Sequence, residues 1–466
     1  MPISRGRPNI VLVLIDDMGW QDLGCYGSTF YETPNIDALA ARGTRFTQAY
    51  AAAPVCSPTR ASLMSGKYPA RVGITQYIGG HGVGRLVDVP YFHGLPENEF
   101  SLARALREGG YRTWHVGKWH LGDARHGPER HGFDVNIGGC ALGSPTTYFS
   151  PYAIPTLEDG PPGEYLTDRL TDEAIRLVET ADERPFFLNL WHYAVHTPLE
   201  APGDLIGKYQ RKAAALGLDT HAIVKAESMS AWHLRGKHVE RRTVQSDPAY
   251  AAMIENLDAN IGRLVAALDA AGKLNETLIV FTSDNGGLST SEGSPTCNAP
   301  LAEGKGWMQD GGVRVPFIAC LPGVVPAAQS PLAFSTPDIY PTLLSAAGLP
   351  ARPRQHVDGV DLWAQWRGLS NAGRGALFWH YPHYSNQGGT PGAAVREGDF
   401  KLIRWFEDGR LALFNLAEDI EERHDLSSER PDLVEKLGLR LDDWSRDVMA
   451  LVPQPNPHDY FPPEGM

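Results

Sequence analysis

Two pairs of oxygen-bearing side chains follow apolar stretches of this sequence. Asp16 and Asp17 come directly after the run IVLVLI, and Asp284 and Asn285 come directly after LIVFTS. Ligands of open α/β sheets collect at the carboxyl ends of strands, and adjacent carboxylates repel each other unless a cation neutralises them. Four oxygen donors without a thiolate or imidazole suit a hard cation, Ca²⁺ or Mg²⁺. The same residue types also serve in turns and helix caps, so the spacing by itself leaves both interpretations open.

One cysteine, Cys56, lies at the start of a predicted short helix. Ser57 is a good N-cap and Pro58 suits the first helical position, and the helix is predicted to stop at Gly66. The helix dipole favours an anion at Cys56, and Arg60 lies one turn further on. A small buried cysteine without any chemistry would suit the same place, so position alone does not assign a function to this thiol.

A longer motif surrounds this cysteine. The segment VCSPTRASLMSG carries the pattern Cys-x-Pro-x-Arg-x-x-Leu-x-x-Gly, which resembles the signature of the type I sulfatases, formylglycine-dependent enzymes of the alkaline phosphatase superfamily. The segments IDDMGWQDLGCYG, TPNIDALAARGTRFTQAY, GKWHLG, HTP and SDNGG resemble further blocks of that family in the expected order. The resemblance covers residues 9–362 well and the C-terminal part of the chain loosely.

The resemblance implies an alkaline-phosphatase-like fold and the activity of a sulfuric ester hydrolase. In that family a dedicated maturase oxidises the signature cysteine, here Cys56, to Cα-formylglycine, whose hydrate is the nucleophile. The resemblance also implies a bound Ca²⁺, in preference to Mg²⁺. Its ligands would be Asp16, Asp17, Asp284, Asn285 and the modified residue 56. The implied substrate is a sulfated small molecule or glycan, and we expect a sulfated carbohydrate.

Four further polar side chains lie in these blocks, and each is a weak signal alone. Lys118 and His120 are two residues apart, so alternation in an extended segment would put both on one side. A lone lysine is usually a solvated charge, and a lone histidine is usually structural. By family resemblance, Lys118 and Lys305 bind sulfate and Arg60 holds the nucleophile. His196 would protonate the leaving alcohol, alone or with Lys305, and His120 would act as the base that breaks down the intermediate.

Two other functions stay open at this stage. A phosphonate monoester or phosphodiester hydrolase of the same superfamily can share the signature. Several of those enzymes carry histidine where Asn285 stands here, which favours a sulfatase. A non-catalytic glycan-binding protein on the same scaffold would be expected to have lost Cys56, Arg60 or a metal-binding acid, and all are present.

The elements that must position these residues alternate between short apolar runs and helical patterns. This alternation predicts an α/β fold with a large mixed, mostly parallel sheet between helices. The predicted core strands are Asn9–Ile15, Tyr111–Gly117, Pro185–His192, Thr277–Ser283 and Val315–Cys320. A helix is predicted in SLARALREGG, which opens with Ser101 as a cap and closes on Gly109 and Gly110. Two more are predicted in LTDEAIRLVETA and YAAMIENLDANIGRLVAALDAAG from their three- and four-residue apolar spacing.

The pattern changes after about Trp366, where short strands joined by Gly and Asp turns precede a final helix. We therefore predict a catalytic domain over 1–365 and a smaller α+β subdomain over 366–466, with an antiparallel sheet and a proline-rich tail. The polar segment 219–247 is predicted to be an insertion, a lid or an oligomer contact. His380 and His383 lie either in a rim loop that contacts substrate or in a packed aromatic cluster.

Composition bounds the remaining possibilities. The chain has 466 residues and a net charge of -13, which argues against nucleic-acid binding but allows a small basic pocket for an anionic substrate. Five cysteines without a CxxC pair predict neither a disulfide framework nor a zinc site.

The run Ile10 to Ile15 is too short for a membrane span and lacks signal-peptide features. Taken at face value the chain is cytoplasmic, or periplasmic or secreted if a native signal peptide has been trimmed, and its oligomeric state stays open.

Overall fold

The computed structural model describes residues 6–457. Among them are fourteen strands: β1 (Asn9–Ile15), β2 (Thr44–Tyr50), β3 (Arg112–Gly117), β4 (Val135–Ile137), β5 (Phe186–Trp191), β6 (Ile223–Ser228), β7 (His238–Arg242), β8 (Thr277–Ser283), β9 (Arg314–Cys320), β10 (Ala328–Ser335), β11 (Leu377–Tyr381), β12 (Gly392–Glu397), β13 (Phe400–Trp405) and β14 (Leu411–Asn415). The α-helices there are α1 (Pro34–Arg42), α2 (Cys56–Ser65), α3 (Pro69–Val72), α4 (Leu102–Glu108), α5 (Leu166–Glu179), α6 (Gly203–Ala215), α7 (Pro248–Ala270), α8 (Asp310–Val313), α9 (Ile339–Ala346), α10 (Trp363–Trp366) and α11 (Pro431–Asp447).

Eight strands form one large sheet in the order β10-β2-β9-β8-β1-β5-β3-β4. Neighbouring strands are parallel except where β9 pairs with β8 and β2. The predicted mixed, mostly parallel sheet is therefore confirmed. All five predicted core strands are present, with ends that differ by no more than one residue. Strands β2, β4 and β10 were not predicted, because TRFTQAY and AQSPLAFS mix polar and apolar residues and β4 has only three residues.

The central strand β1 is buried on both faces, which explains its unbroken apolar sequence. Val11, Val13 and Ile15 pack into one core with helices α5 and α7. The alternate residues of β1 pack into a second core, on the other face of the sheet, with helices α2, α4 and α9. The sheet is thus the middle layer of three, and its parallel strands end along a common edge between the two helical layers.

A second sheet follows in the C-terminal part, with the antiparallel order β11-β12-β13-β14. Helix α11 packs on it, and Trp444 of that helix stacks on Phe378 with ring centroids 4.9 Å apart. The predicted antiparallel sheet and final helix are both present. The division at 365/366 stays a prediction, and residues 458–466 of the predicted tail lie outside the described residues.

The polar segment 219–247 contains a hairpin of β6 and β7. The loop of this hairpin donates a hydrogen bond from Trp232 N to Val83 O at 2.8 Å. Ala231 of the same loop packs against Leu86 and Tyr384, so the hairpin rests on two other loops of the chain. No helix among residues 6–457 combines the length and apolar character needed to cross a membrane.

Candidate active site

The register between β1 and β8 brings together the two pairs of oxygen-bearing side chains, Asp16 with Asp17 and Asp284 with Asn285. Ile15 lies opposite Ser283 in this parallel pairing, so the residues that follow both strands meet at the same edge of the sheet. Carboxylate oxygens of Asp16, Asp17 and Asp284 all lie within 4.8 Å of one another. The amide nitrogen of Asn285 donates to Asp17 Oδ1 at 2.9 Å, so this side chain belongs to the same cluster.

The cluster has the donor chemistry of a hard-cation site. Asp16 Oδ1 and Asn285 Oδ1 are buried, and neither accepts a hydrogen bond within the described part of the chain. Burial raises the pKa of Asp16 well above its ordinary value, and the charges of Asp284 and Asp17 add to that rise against Lys118 and Arg60. A divalent cation would neutralise these carboxylates and take up the two unpartnered oxygens, so the residues present fit Ca²⁺ or Mg²⁺.

Three buried cationic side chains surround the carboxylates. Lys118 Nζ lies 2.6 Å from Asp16 Oδ2, and Lys305 Nζ lies 2.8 Å from Asp17 Oδ2. The third cation, Arg60, donates to Asp284 Oδ2 from Nε at 2.9 Å and lies 2.7 Å from it through Nη2. The charges of the three acids and three cations balance, so a bound divalent cation would give the site a net positive charge, which favours an anionic substrate.

These ion pairs also set protonation at the site. Burial alone would raise the pKa of Asp17, but the charges of Lys305 and Lys118 and the hydrogen bond from Lys305 outweigh it and lower that pKa. Burial alone would lower the pKa of Lys305, but Asp17 and other negative charges outweigh it and raise that pKa. Asp17 is therefore a carboxylate and Lys305 an ammonium group at neutral pH.

Helix α2 begins two residues earlier than predicted. Cys56 is its first residue and Val55 is the N-cap, so the prediction of Ser57 as the N-cap is wrong. The Ser57 hydroxyl is engaged elsewhere: it donates to His120 O at 2.9 Å and accepts from Ile78 N at 3.0 Å. The helix ends at Ser65, as the following glycine predicted. Cys56 is only 3% exposed and lies at the helix N-terminus.

The ring of His120 faces Cys56. Its Nδ1 atom lies 3.3 Å from Cys56 Sγ, and its Nε2 atom lies 3.0 Å from Ile78 O. Because a carbonyl oxygen only accepts hydrogen bonds, Nε2 carries the proton and Nδ1 presents a lone pair to residue 56. The backbone at His120 has φ 53°, so this segment does not continue as the extended strand from which we expected Lys118 and His120 to share a side. A Cβ atom on Gly143 would lie 2.6 Å from the His120 ring, so this position needs glycine.

His196 joins the opposite side of the cluster. Its Nε2 atom lies 3.1 Å from Lys305 Nζ and 3.6 Å from Asp17 Oδ2, and its Nδ1 atom lies 2.8 Å from Thr197 O. Nδ1 therefore carries the proton, and Nε2 accepts from the Lys305 ammonium group. Burial, together with Lys305, lowers the pKa of His196 to about 3, so its ring is neutral at neutral pH.

The structure excludes some neighbouring residues from the site and adds others. His192 is buried, with no hydrogen-bond partner for its ring among residues 6–457. His380 and His383 are also buried, bonded to Leu451 O and to Thr75 and Asp88, so the packed alternative describes both. Sequence reasoning missed the positioning groups Ser57 and Ile78 O. A hydroxyl next to the signature cysteine was the only available signal.

Comparison with known proteins identifies the family. The sulfatase family model matches residues 8–349. The chain belongs to the sulfatase family. A second model, described as the C-terminal part of N-sulphoglucosamine sulphohydrolase, matches residues 304–446 of this sulfatase. The enzyme is accordingly a sulfuric ester hydrolase.

Relatives with this chemistry align over most of the chain. A sulfatase of Formosa agariphila is 30% identical across 95% of this chain and 89% of its own length. N-acetylgalactosamine-6-sulfatase of Sus scrofa is 34% identical across 76% of this chain and 65% of its own length. Arylsulfatase A of Homo sapiens is 33% identical across 84% of this chain and 74% of its own length.

Solved structures agree with the alkaline-phosphatase-like fold. The crystal structure of Ps i-CgsB in complex with k-i-k-neocarrahexaose has 30% identity and a TM-score of 0.76, covering 95% of this sulfatase and 93% of that chain. The phosphonate monoester hydrolase of Agrobacterium radiobacter has 22% identity and a TM-score of 0.65, covering 96% of each chain. At that identity it shares the fold alone.

Proposed function

We propose that this sulfatase hydrolyses a sulfate monoester of a carbohydrate, with formylglycine made from Cys56 as nucleophile and a Ca²⁺ ion at the carboxylate cluster. The observation that carries the proposal is the position of Cys56. Its side chain lies at a helix N-terminus and faces the His120 lone pair at 3.3 Å. Arg60 follows four residues later in the same helix, α2, and therefore lies on the same helix face as residue 56.

Residue 56 would carry the nucleophile of the reaction. The hydrate of formylglycine, once formed by a maturase, supplies an oxygen nucleophile there. Nδ1 of His120 is placed to accept a proton from a hydroxyl on residue 56, because Ile78 O holds the other proton on Nε2. Arg60, held by Asp284 and by Lys118 O at 3.2 Å, keeps a fixed positive charge beside that oxygen.

The carboxylate cluster would bind the cation. Asp16, Asp17, Asp284, Asn285 and residue 56 would hold Ca²⁺, in preference to Mg²⁺. The bound cation supplies charge that polarises the sulfate and the nucleophile. Lys118 and Lys305 each contact one carboxylate of the cluster and would bind sulfate oxygens as point charges. Both ammonium groups are buried, so their attraction for an anion is little screened by water.

The leaving alcohol requires a proton. Lys305 Nζ and His196 Nε2 form one hydrogen-bonded pair, in which lysine carries the proton. We therefore assign leaving-group protonation to the pair: the lysine proton passes to the alcohol directly or through Nε2 of His196. This sharpens the expectation that His196 acts alone or with Lys305.

The names of relatives support a carbohydrate substrate. N-acetylgalactosamine-6-sulfatase and the i-CgsB complex with a neocarrahexaose both concern sugars, and both proteins are at least 30% identical to this chain. A sulfated glycan is therefore the substrate class that we propose. For the compartment, we keep the proposal that the chain as given is cytoplasmic, or periplasmic or secreted if a signal peptide has been trimmed.

The decisive experiment combines mass and turnover. The protein is co-expressed with a formylglycine-generating maturase, and intact mass should fall by about 18 Da relative to the unconverted chain. Converted protein should then hydrolyse sulfated mono- and disaccharides and 4-nitrophenyl sulfate, and a Cys56→Ala variant should hydrolyse none of them.

The same assay separates the alternatives. A strong preference for an aryl phosphonate ester over the aryl sulfate would instead support a phosphonate monoester hydrolase. Complete conversion without turnover of any ester would support a glycan-binding scaffold.

A further inference from the structure

A cavity of about 480 Å³ lies between the β6–β7 hairpin and two loops that border the candidate active site. Its lining includes Lys225, Met229, Leu234, Lys237, Glu292 and Asn386. This volume lies within the range of pockets that hold small ligands. The hairpin contributes most of the lining, and nothing in the proposed reaction uses it.

One end of the cavity adjoins the catalytic groups. Asn386 donates from Nδ2 to the Tyr77 hydroxyl at 2.9 Å, and Tyr77 directly precedes Ile78, whose carbonyl holds His120. The Oδ1 atom of Asn386 lies 2.8 Å from Nε2 of His233 in the hairpin loop. Asn386 thus connects the hairpin to the segment that orients the catalytic base.

Glu292 lines the cavity as an exposed residue, and one of its carboxylate oxygens is held in place. Its Oε1 atom accepts a hydrogen bond from Gln387 Nε2 at 2.7 Å, and Gln387 is buried. Its backbone has φ 54°, in the left-handed region that costs a non-glycine residue free energy. Gln387 also packs against the residue that follows Lys305, because a Cβ atom on Gly306 would lie 2.9 Å from Gln387 Oε1. Glu292 is therefore held by a side chain that borders the loop of the sulfate-binding lysine.

A carboxylate in this place has an electrostatic cost for a sulfatase, because it repels the substrate's sulfate group. That cost is offset if the carboxylate binds hydrogen-bond donors on the leaving group. Within residues 6–457, Oε2 of Glu292 accepts no hydrogen bond, so it is available to sugar hydroxyls. Met229 and Leu234 line the same cavity and offer an apolar surface to the C–H face of a sugar ring.

The hairpin end of the cavity carries two lysines, Lys225 and Lys237, and one carboxylate, Glu240. Lys237 is exposed, and no carboxylate of the described chain pairs with it. Lys225 is 75% exposed and lies 3.9 Å from its nearest partner, Glu240. Two ammonium groups that are weakly engaged thus lie beside one another in the lining of this cavity. They suit a second anionic group of a ligand whose first anion is the scissile sulfate.

We propose that this cavity is a subsite for an anionic oligosaccharide, in which Glu292 binds hydroxyls of the sugar next to the scissile sulfate and Lys225 and Lys237 bind a second sulfate or carboxylate further along the glycan. The inference rests on the proposed function and deepens it. It assigns the substrate class as a glycan with more than one anionic group, and it assigns the hairpin the role of a specificity element.

The test uses converted enzyme and 4-nitrophenyl sulfate as a reporter substrate that lacks a sugar. Heparin-derived and carrageenan-derived tetrasaccharides, each with its chemically desulfated counterpart, are added as competing ligands. The proteins are the wild type, Glu292→Gln, the double variant Lys225→Ala/Lys237→Ala, and Lys436→Ala as an exposed-lysine control on α11. Inhibition constants and kcat/KM for the reporter are measured for each.

We expect at least one sulfated tetrasaccharide to inhibit the wild type about 10-fold more tightly than its desulfated counterpart. The double lysine variant should raise the inhibition constant of that sulfated ligand about 10-fold and leave the reporter kcat/KM unchanged. Glu292→Gln should weaken both forms of the ligand, and Lys436→Ala should weaken neither.

Two results overturn the subsite while the sulfatase proposal stands: neither sulfated tetrasaccharide inhibits the wild type, or the wild type and the double variant are inhibited equally. Absence of turnover of the reporter and of every sulfated saccharide by fully converted wild type would instead overturn the proposed function. In that case, calorimetric titration measures the dissociation constants of the same tetrasaccharides for the same proteins. The ratios expected above for the inhibition constants then apply to these dissociation constants.

Discussion

The Nδ1 atom of His120 lies 3.3 Å from Cys56 Sγ, and the proton of the ring is held on the far side by Ile78 O. Residue 56 therefore faces a neutral, proton-accepting nitrogen. Ser57 closes this arrangement, because its hydroxyl bonds both the His120 carbonyl and the Ile78 amide. The residue that follows the signature cysteine in sequence is thus a positioning group for the base.

Replacing Ser57 should separate base positioning from nucleophile formation. We expect Ser57→Ala to lower kcat about 10-fold, because two hydrogen bonds that orient His120 are lost, each worth roughly 1 kcal/mol. Ser57→Thr keeps the hydroxyl and should recover most of the rate. Turnover of 4-nitrophenyl sulfate is measured on samples whose conversion at residue 56 is matched by intact mass. Equal rates for Ser57→Ala and the wild type would contradict this role.

The loss of activity on replacing His196 should depend on the leaving group of the substrate. A sugar alcohol is a poor leaving group and requires protonation, whereas 4-nitrophenolate leaves readily without it. His196→Ala should therefore lower kcat/KM for a sulfated sugar at least about 10-fold more than for 4-nitrophenyl sulfate. Both substrates are assayed with the same enzyme preparation. A uniform loss on both substrates would show that His196 only binds sulfate.

Lys118 is expected to bind sulfate through charge. Lys118→Ala should lower kcat/KM about 100-fold or more, since a preorganised electrostatic contact of this kind contributes about 3–4 kcal/mol. Lys436→Ala, on the exposed face of α11, serves as the control and should retain full activity. Thermal unfolding of both variants checks that they are folded. A loss below 10-fold in a folded, converted Lys118→Ala protein would contradict the assignment.

Removal of the cation should be visible in stability as well as activity. Three carboxylates within 4.8 Å repel each other, so Ca²⁺ that binds the folded state should raise Tm. We expect a chelator to lower Tm and abolish turnover, and added CaCl2 to restore both. Asp16→Asn should reduce the Ca²⁺-dependent rise in Tm, whereas Asp182→Asn at an exposed ion pair should not. A Tm that is independent of Ca²⁺ would count against the site.

A buried ion cluster beneath the C-terminal sheet predicts a pH dependence of stability. Lys401 Nζ lies 2.8 Å from Asp310 Oδ1 and 3.0 Å from Glu422 Oε1. Burial raises the pKa of Glu422 to about 7, with the charge of Lys401 opposing the rise and that of Asp310 adding to it. Because the folded-state pKa is the higher one, this stabilising contribution is complete below about pH 4 and is lost as pH rises through 7.

The corresponding variant is Glu422→Gln, which cannot ionise. The free energy of unfolding of the wild type should fall relative to that of the variant by about 1–3 kcal/mol between pH 4.5 and 7.5. Denaturant unfolding at several pH values measures this difference. Glu421→Gln, at the preceding half-buried position where the carboxylate pairs with Arg423, should follow the wild-type pH profile. A pH-independent difference between Glu422→Gln and the wild type would refute the raised pKa.

Much of the fold was predictable because its signals are local. The buried strands β1, β5 and β8 have continuous apolar sequences, and α7 has regular helical spacing, so each could be recognised within its own segment. Strands β2 and β10 lie at or near one edge of the sheet and mix polar with apolar residues, so their pairing depends on partners far along the chain. The hairpin in segment 219–247 was missed for the same reason.

The sequence by itself determined the chemical identity of the site: the signature around Cys56 and the acids that end two strands identify the family without coordinates. Only the tertiary structure decided which of these groups meet. Asp17 and Asp284 are 267 positions apart and touch because β1 and β8 are neighbours in the sheet. The Lys305–His196 pair and the Ser57–Ile78 contact arise from packing between separate loops. Residue spacing reports periodicity within one element, whereas contacts between elements follow from strand order and core packing.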